Sequence, residues 1–138
     1  MKFGLKSPMP TEADEAECLL RWAYLQRWSG QRLSDLLIMI PNGALLGGDA
    51  RQRAMTMARF KRMGFRTGVS DYLVPIQRPP YPGLFLELKR RKGGVISDDQ
   101  EEFMAQMSGL GWKTAICFGW EESRDVIVDY LKIKGSVT

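Results

Sequence analysis

The segment Leu84–Lys89, LFLELK, alternates between two kinds of side chain and so restricts how the chain can fold. Side chains of a β-strand point alternately to its two sides. The three leucines of the segment therefore share one face, while Glu87 and Lys89 share the other. The pattern predicts a strand with one face in a hydrophobic core and a charged pair on the opposite face.

The sequence around this strand predicts helices on either side of a mixed sheet. A β-rich segment begins near Ser70, turns at QRPPYPG and returns through the leucine strand, which predicts a hairpin. Further strands are predicted in LLIMIP and WKTAICF. Helices are predicted at about residues 11–26, 50–63, 97–109 and 121–132. This order predicts an α/β domain with a mixed central sheet flanked by helices.

Local signals mark the ends of these helices. Thr11 is a predicted N-cap, and Gly64 is the predicted C-cap of the second helix. Ser97 is predicted to begin the third helix with a capping box, with Glu101 one residue beyond the ideal partner position. The second helix has a predicted apolar side, formed by Ala54, Met57, Ala58 and Phe60.

Length and charge indicate the class of partner. The chain has 138 residues, which suits one domain with its core at about residues 11–131. Its formal net charge of +4 favours a polyanionic partner such as nucleic acid. The basic residues are concentrated between positions 51 and 66, where no acidic residue occurs: Arg51, Arg53, Arg59, Lys61, Arg62 and Arg66.

Composition also excludes several kinds of chemistry. The chain contains no histidine, which excludes nucleophile systems, general bases and zinc sites that need an imidazole. Cys18 and Cys117 lie in apolar segments without the spacing of a zinc or redox motif, so buried thiols are predicted. No segment resembles a signal peptide or a membrane span, so we expect a cytoplasmic protein with no membrane partner.

Two predicted neighbouring strands each bring a carboxylate to one region, Asp71 from the first and Glu87 from the second. Together they suit Mg²⁺ or Mn²⁺, which takes oxygen ligands and leaves positions for water and a phosphate. Lys89 would orient or deprotonate the attacking water and neutralise charge on the phosphate. The spacing alone is a weak signal, since a Glu/Lys pair on a strand is commonly a solvated salt bridge. These roles are those of phosphodiester hydrolysis. The basic segment before the site strengthens the interpretation that the protein is a nuclease.

Four longer segments, in this order, make the interpretation specific: PNG at 41–43, RFKRMGFRTGVSDYLV at 59–74, LFLELKRRKGGVISDDQEEF at 84–103 and LGWKTAICFG at 110–119. Together they resemble the virus-type replication-repair nuclease (VRR-NUC) family of the PD-(D/E)XK superfamily, in its short free-standing form known from phages and bacteria. The resemblance covers roughly residues 11–131. It implies a restriction-endonuclease-like fold and metal-dependent hydrolysis of DNA phosphodiester bonds.

The resemblance also implies which residues form the site. The family's aspartate falls on Asp71, where this chain has VSD in place of VPD, and its Glu-x-Lys pair falls on Glu87 and Lys89. The backbone carbonyl of Leu88 would be a further metal ligand. The glutamine of the following helix falls on Gln100, which would contact the active centre or the DNA backbone.

The family has one more glutamate in its first helix, and three residues compete for that place: Glu12, Glu15 and Glu17. Glu15 lies on one helical stripe with Leu19 and Trp22, so it points to the sheet if those two pack inward. We therefore predict Glu15 as a catalytic residue and metal ligand, with Glu12 as the second choice.

Contacts with the DNA backbone are predicted for residues before, within and after these elements: Asn42, Gly43, Arg51, Arg53, Arg59, Lys61, Arg62, Arg90, Arg91 and Lys92. The resemblance further implies a symmetric homodimer, which suits a nearly two-fold symmetric four-way (Holliday) junction. Candidate interface residues are Trp28, Leu33, Leu36, Leu37 and Met39. Cleavage of flap, single-stranded or duplex DNA, and a non-catalytic nucleic-acid-binding module, are the alternatives.

Overall fold

A computed structural model describes residues 9–41 and 46–133 of the chain. The predicted DNA contacts Asn42 and Gly43 lie outside the described residues. The helices are α1 (Glu12–Tyr24), α2 (Ala50–Arg62), α3 (Asp98–Gly109) and α4 (Trp120–Leu131). The strands are β1 (Arg27–Trp28), β2 (Gln31–Arg32), β3 (Ile38–Met39), β4 (Tyr72–Val74), β5 (Leu84–Lys89) and β6 (Lys113–Phe118). Within these ranges, every helix is too short or too polar to cross a bilayer.

The central sheet has the strand order β3-β4-β5-β6 and is mixed, as predicted. β4 pairs with β5 in an antiparallel register that places Tyr72 opposite Leu86. β6 lies parallel to β5, because the chain crosses over through α3 between the two strands. The antiparallel register determines the site, since it brings Asp71, one residue before Tyr72, beside Glu87.

The leucine face of β5 forms the centre of the core. Leu84, Leu86 and Leu88 are at most 2% exposed. They belong to one cluster with apolar residues of α1 and α4, among them Leu19 and Ile127. On the other face, the ring of Phe85 packs edge-on against Phe103 of α3, with centroids 5.1 Å apart. The sheet therefore lies between α1 and α4 on one side and α3 on the other, which confirms the α/β architecture.

The segment between α1 and β3 differs from the prediction. β1 and β2 form a small hairpin whose turn residues Ser29 and Gly30 both have positive φ, as a two-residue turn of type I′ requires. A 3₁₀ turn, Leu33–Leu36, follows, so the predicted LLIMIP strand is reduced to Ile38–Met39. Leu33 and Leu37 are 1% and 4% exposed. Both pack in the core and are excluded from the predicted dimer interface.

Helix α2 has the predicted position but not the predicted packing. Asp49 caps it with a capping box to Gln52, and Gly64 follows with a φ of +106°, a conformation that favours glycine. None of its residues is buried, although the sequence predicted an apolar side. Met57 is half-buried, whereas Ala54 is exposed. The helix therefore presents most of its surface, including its arginines, to solvent.

Candidate active site

The two predicted carboxylates meet where β4 and β5 pair. The backbone N–H of Asp71 donates to Glu87 Oε2 at 3.1 Å. The backbone N–H of Leu88 donates to Asp71 Oδ2 at 2.8 Å. Each carboxylate is thus held by an amide of the opposite strand, and the strand pairing determines the orientation of both groups.

Glu87 and Lys89 lie on one face of β5, as the strand periodicity predicts. Lys89 Nζ is 3.5 Å from Glu87 Oε1. Glu87 is 2% exposed and Lys89 is 6% exposed. A surface salt bridge would be well exposed, so the pair is not the solvated pair that the spacing alone allows. Burying both charges costs free energy, which their attraction offsets only when further hydrogen bonds satisfy them, as those from Asp71 and Gln100 do for Glu87.

The environment of these carboxylates makes a metal-free site electrostatically unfavourable. Burial, more than any other cause, raises the pKa of Asp71. Burial and, after it, the neighbouring charge of Asp71 raise the pKa of Glu87 to about 7. Two carboxylates that repel each other in a partly dehydrated site are stabilised by a cation between them.

The donor set fits a hydrated hard cation. Within the ranges 9–41 and 46–133, no three His, Cys, Asp or Glu side chains converge to hold a metal ion. Mg²⁺ commonly binds through only one or two carboxylates and keeps several waters. Asp71 and Glu87 supply that number of carboxylates, and the Leu88 carbonyl stays a predicted third ligand.

Gln100 contacts the carboxylate pair through a helix cap. The side-chain oxygen of Gln100 accepts from the backbone N–H of Ser97 at 2.9 Å, and the backbone N–H of Gln100 donates to Ser97 Oγ. The capping-box partner is therefore Gln100, and the prediction of Glu101 is wrong because that residue lies one position beyond the capping turn. With its oxygen engaged, Gln100 turns its Nε2 to Glu87 Oε1 at 2.7 Å.

Glu15 points inward, as its helical stripe predicts, but it does not join the carboxylate pair. Its side chain is fully buried, and Oε2 accepts from the backbone N–H of Arg91 at 3.0 Å and from Arg91 Nε at 3.1 Å. Oε1 accepts from Arg91 Nη2 at 2.9 Å and from the Trp120 N–H at 3.4 Å. Its oxygens are therefore occupied, because a buried carboxylate needs such partners.

The same contacts change the interpretation of Arg91. Its guanidinium also bonds Glu121, with Nη2 2.9 Å from Oε2. A guanidinium held by two carboxylates is not free to bind a phosphate, so the structure argues against the predicted DNA contact at Arg91. The neighbouring residues Arg90 and Lys92 are exposed and remain predicted DNA contacts.

Among the competing glutamates of α1, Glu12 reaches the site. Its Oε1 is 3.9 Å from Lys89 Nζ, and its side chain is 55% exposed. After the effect of burial, the charge of Glu12 also contributes to the raised pKa of Asp71. Glu12 lies one turn before Glu15, beyond the edge of the core, and both Glu12 and Glu17 are exposed. The structure thus favours the second choice of the sequence analysis.

The basic helix α2 borders the site. Arg51, Arg53, Arg59, Lys61 and Arg62 are all exposed. Met57 of the same helix lines a cleft together with Asp71 and Gln100. Arg53 and Lys61 are four residues before and after Met57, so they lie on the side of α2 that faces this cleft. The sequence analysis did not predict the cleft, because its walls come from separate elements.

Replacing Asp71 by Asn is predicted to stabilise the metal-free protein at pH 8, because it removes the charge that repels the Glu87 carboxylate. The raised pKa of Glu87, about 7 in place of 4.5, means that stability is lost as the pH rises through that range. The gain should therefore be present at pH 8 and shrink at pH 5. Urea denaturation in EDTA measures it.

Asp125→Asn is the control, since that carboxylate is 66% exposed and pairs only with Arg124 among the described residues. Added Mg²⁺ should stabilise the wild type more than the Asp71 variant. An equal effect of the Asp71 substitution at both pH values would contradict the electrostatic account.

Comparison with solved structures identifies a protein of the same architecture, described as a VRR_NUC domain protein. It is 25% identical to this chain, superimposes with a TM-score of 0.76, and the match covers 88% of each chain. No protein-family model and no curated protein matches the chain. The structural match agrees with the resemblance of the four sequence segments and with the restriction-endonuclease-like fold. The chain therefore has the fold of a VRR_NUC domain protein, which supports the VRR-NUC family that its four sequence segments resemble.

Proposed function

We propose that the protein is a Mg²⁺- or Mn²⁺-dependent endonuclease that hydrolyses phosphodiester bonds of DNA. The observation that carries this proposal is the group formed by the buried residues Glu87 and Lys89 and the half-buried Asp71. Two mutually repelling carboxylates lie together, with an ammonium group 3.5 Å from one of them. In a nuclease fold, the two carboxylates would bind a cation, and the ammonium group would lie beside the phosphate that contacts this cation.

A divalent cation would be held by Asp71, Glu87 and the carbonyl of Leu88, with Glu12 in support in place of Glu15. When bound, such a cation polarises the phosphate and lowers the pKa of a bound water. Gln100 keeps Glu87 oriented toward this position through its hydrogen bond to Oε1. The protein contributes a preorganised set of oxygen ligands, and the strand backbone holds that set in place.

Lys89 is the residue placed to act on the water and the phosphate. Its ammonium group lies between Glu87 and Glu12, at 3.5 and 3.9 Å. From there the ammonium group would orient the attacking water or donate a hydrogen bond to the phosphate oxygens, and only its neutral amine form could take up the proton of the water. A positive charge at that position also stabilises the negative charge that develops in the transition state.

Helix α2 would hold the DNA backbone. Five exposed basic side chains without an acidic neighbour on the helix form a surface suited to phosphates. Arg53 and Lys61 face the cleft beside the carboxylate pair, while Arg51, Arg59 and Arg62 lie on the outer side of the helix. We assign the phosphate contacts nearest the cleaved bond to the side of α2 that faces the cleft.

The proposed substrate is branched DNA, and the proposed assembly is a homodimer. β3 is an outer strand of the sheet, and its residues Ile38 and Met39 are 46% and 57% exposed. An exposed apolar strand edge favours pairing with a second copy. Trp28 and Leu36 are half-buried and could extend the contact. Two sites related by a two-fold axis would cut the two symmetric strands of a four-way junction.

The first prediction concerns the metal site. Asp71→Ala and Glu87→Ala should abolish Mg²⁺-dependent cleavage of labelled DNA while DNA binding is retained, because a charge that repels phosphate is removed. Lys89→Ala should be inactive but should still bind Mn²⁺ in isothermal titration. Glu12→Gln should lower the cleavage rate about tenfold or more, as expected for a supporting ligand, without changing the melting temperature.

Glu15→Gln is the matched comparison on the same helix. It should lower the free energy of unfolding by about 3–5 kcal/mol, because it breaks a buried ion pair. Wild-type cleavage that proceeds equally well in EDTA would refute the metal-dependent nuclease. A stable but inactive Glu15→Gln protein, with Glu12→Gln fully active, would restore Glu15 to the site.

The next prediction concerns the basic helix. Arg53→Gln with Lys61→Gln should weaken DNA binding for all sequences and lower the slope of log affinity against log salt by up to about two units. Arg51→Gln with Arg62→Gln removes the same charge from the outer side and should have a smaller effect on cleavage. Equal effects of the two pairs on the cleavage rate would show that the side of the helix is unimportant.

The last prediction concerns assembly and substrate. Light scattering at micromolar concentration should give twice the 15.7 kDa monomer mass. Met39→Glu should convert the protein to monomers, because it places a charge at the interface. Paired nicks across a four-way junction should then become single nicks. A monomeric wild type, or a preference for a simple flap over a junction, would leave only the metal-dependent nuclease.

A further inference from the structure

A cleft of about 300 Å³ lies directly beside the carboxylate pair. Its walls come from α2, from the loop between α2 and β4, and from the first turn of α3. They include Asp71 and Gln100, which both belong to the candidate active site. The cleft is large enough for a small ligand, at the lower end of the usual range of roughly 300–1,000 Å³. Any occupant would adjoin a phosphate bound at the carboxylate pair.

The chemistry of the walls suits a flat ring with polar edges. Met57, Phe65 and Val69 supply apolar surface. Thr67 and Asp99 supply polar groups, and the Thr67 hydroxyl donates to Asp99 Oδ2 at 2.8 Å. A nucleobase has apolar faces that stack on such side chains and an edge of hydrogen-bond donors and acceptors.

The charge of the walls argues for a neutral occupant. Asp99 lines the cleft and repels a phosphate from its interior, while the proposed cation would engage Asp71, which also lines it. The one cation in the described lining, Arg66, is hydrogen-bonded to Gln106 and lies over the ring of Phe103 at 5.3 Å. The free positive charges lie outside the cleft on α2. A nucleotide would therefore place its base inside and its backbone along the basic helix.

The cleft has a fixed wall. Gly68 has a φ of +82°, and a Cβ added there would come within 2.5 Å of the Asp99 backbone carbon. The loop thus packs directly on the first turn of α3, an approach that only glycine permits. The ring of Phe65 also packs against Phe60, with centroids 6.4 Å apart. These contacts within the chain fix the position of the wall.

We propose that this cleft binds an unpaired nucleobase from a nucleotide next to the cleaved phosphodiester bond. This inference rests on the proposed nuclease function and deepens it. A base in a duplex must unstack and unpair before it can enter, whereas a base at a junction, flap or single strand enters more easily. The cleft would thereby give the enzyme its selectivity for irregular DNA.

The test uses wild-type cut sites that have first been mapped on a single-stranded or branched substrate. The nucleotide on each side of the cut is then replaced, one at a time, by an abasic analogue. At one of the two positions, kcat/KM of the wild type should fall about tenfold, as expected for the loss of one stacked base. Met57→Ala and Phe65→Ala should lower kcat/KM on the intact substrate by a similar factor, with no further loss on the abasic one.

Met55→Ala is the matched control, since Met55 lies on the same helix, is 63% exposed and does not line the cleft. Met57→Ala carries the test if Phe65→Ala proves unstable, because α2 buries none of its residues. The inference is overturned if the abasic substitutions have no effect on wild-type cleavage, or if they lower cleavage equally in wild type and Met57→Ala. Mg²⁺-dependent cleavage would persist in that case and leave the proposed function intact.

A second readout needs no cleavage. In EDTA, 2-aminopurine scanned through a short single strand should change in fluorescence on binding at one position, and Met57→Ala should remove that change. Such a signal without any Mg²⁺-dependent cleavage would refute the nuclease proposal and retain the base site. The absence of a signal at every position, despite binding, would overturn the base site.

Discussion

The candidate site depends on the antiparallel register of β4 and β5. With Tyr72 opposite Leu86, the amide of Asp71 meets the carboxylate of Glu87, and the amide of Leu88 meets the carboxylate of Asp71. A shift of one residue would turn the side chains of one strand to the opposite face and separate the two acids. The leucine face of β5 prevents that shift, because it would move three buried leucines out of the core. Hydrophobic burial on one face therefore fixes the chemistry on the other.

The end of β5 is held by a second interaction, between Glu15 and Arg91. The carboxylate of Glu15 joins α1 to the residue that follows Lys89 by two positions, and it also accepts from the first amide of α4 at Trp120. The N-cap residue Gly119 has no side chain, so the Glu15 carboxylate accepts from the first amide and adds to the negative charge of Glu121 and Glu122 in the first turn. One buried group thus connects two helices with the strand that carries the reactive residues. We assign it a structural role that keeps Lys89 in position.

The candidate site and the basic helix differ from a typical folded domain in opposite ways, one in the charges that it buries and the other in the surface that it exposes. The carboxylate pair buries charges that repel each other, whereas α2 exposes nearly all of its surface and buries no residue. Under the proposed function, a bound cation would offset the repulsion between the carboxylates, and bound DNA would cover part of α2. The cleft lies between these two regions, so an occupant there would connect the proposed metal site with the proposed phosphate-binding surface.

The sequence by itself determined the elements and the pairing of residues within them. The period-two alternation of β5 placed Glu87 and Lys89 on one face. Helical patterns located α1 to α4 within a few residues, and Gly64 marked the end of α2. These signals depend only on neighbours along the chain. Only the tertiary structure shows that Glu12 lies near Lys89 and that Glu15 pairs with Arg91. Both lie on the same helical stripe, and the choice depends on whether that stripe meets Arg91 or Lys89 across the fold. The same reason applies to the burial of Leu33 and Leu37, the pairing of Arg91 with two carboxylates and the formation of the cleft. Each depends on contacts between distant segments, which local periodicity does not encode.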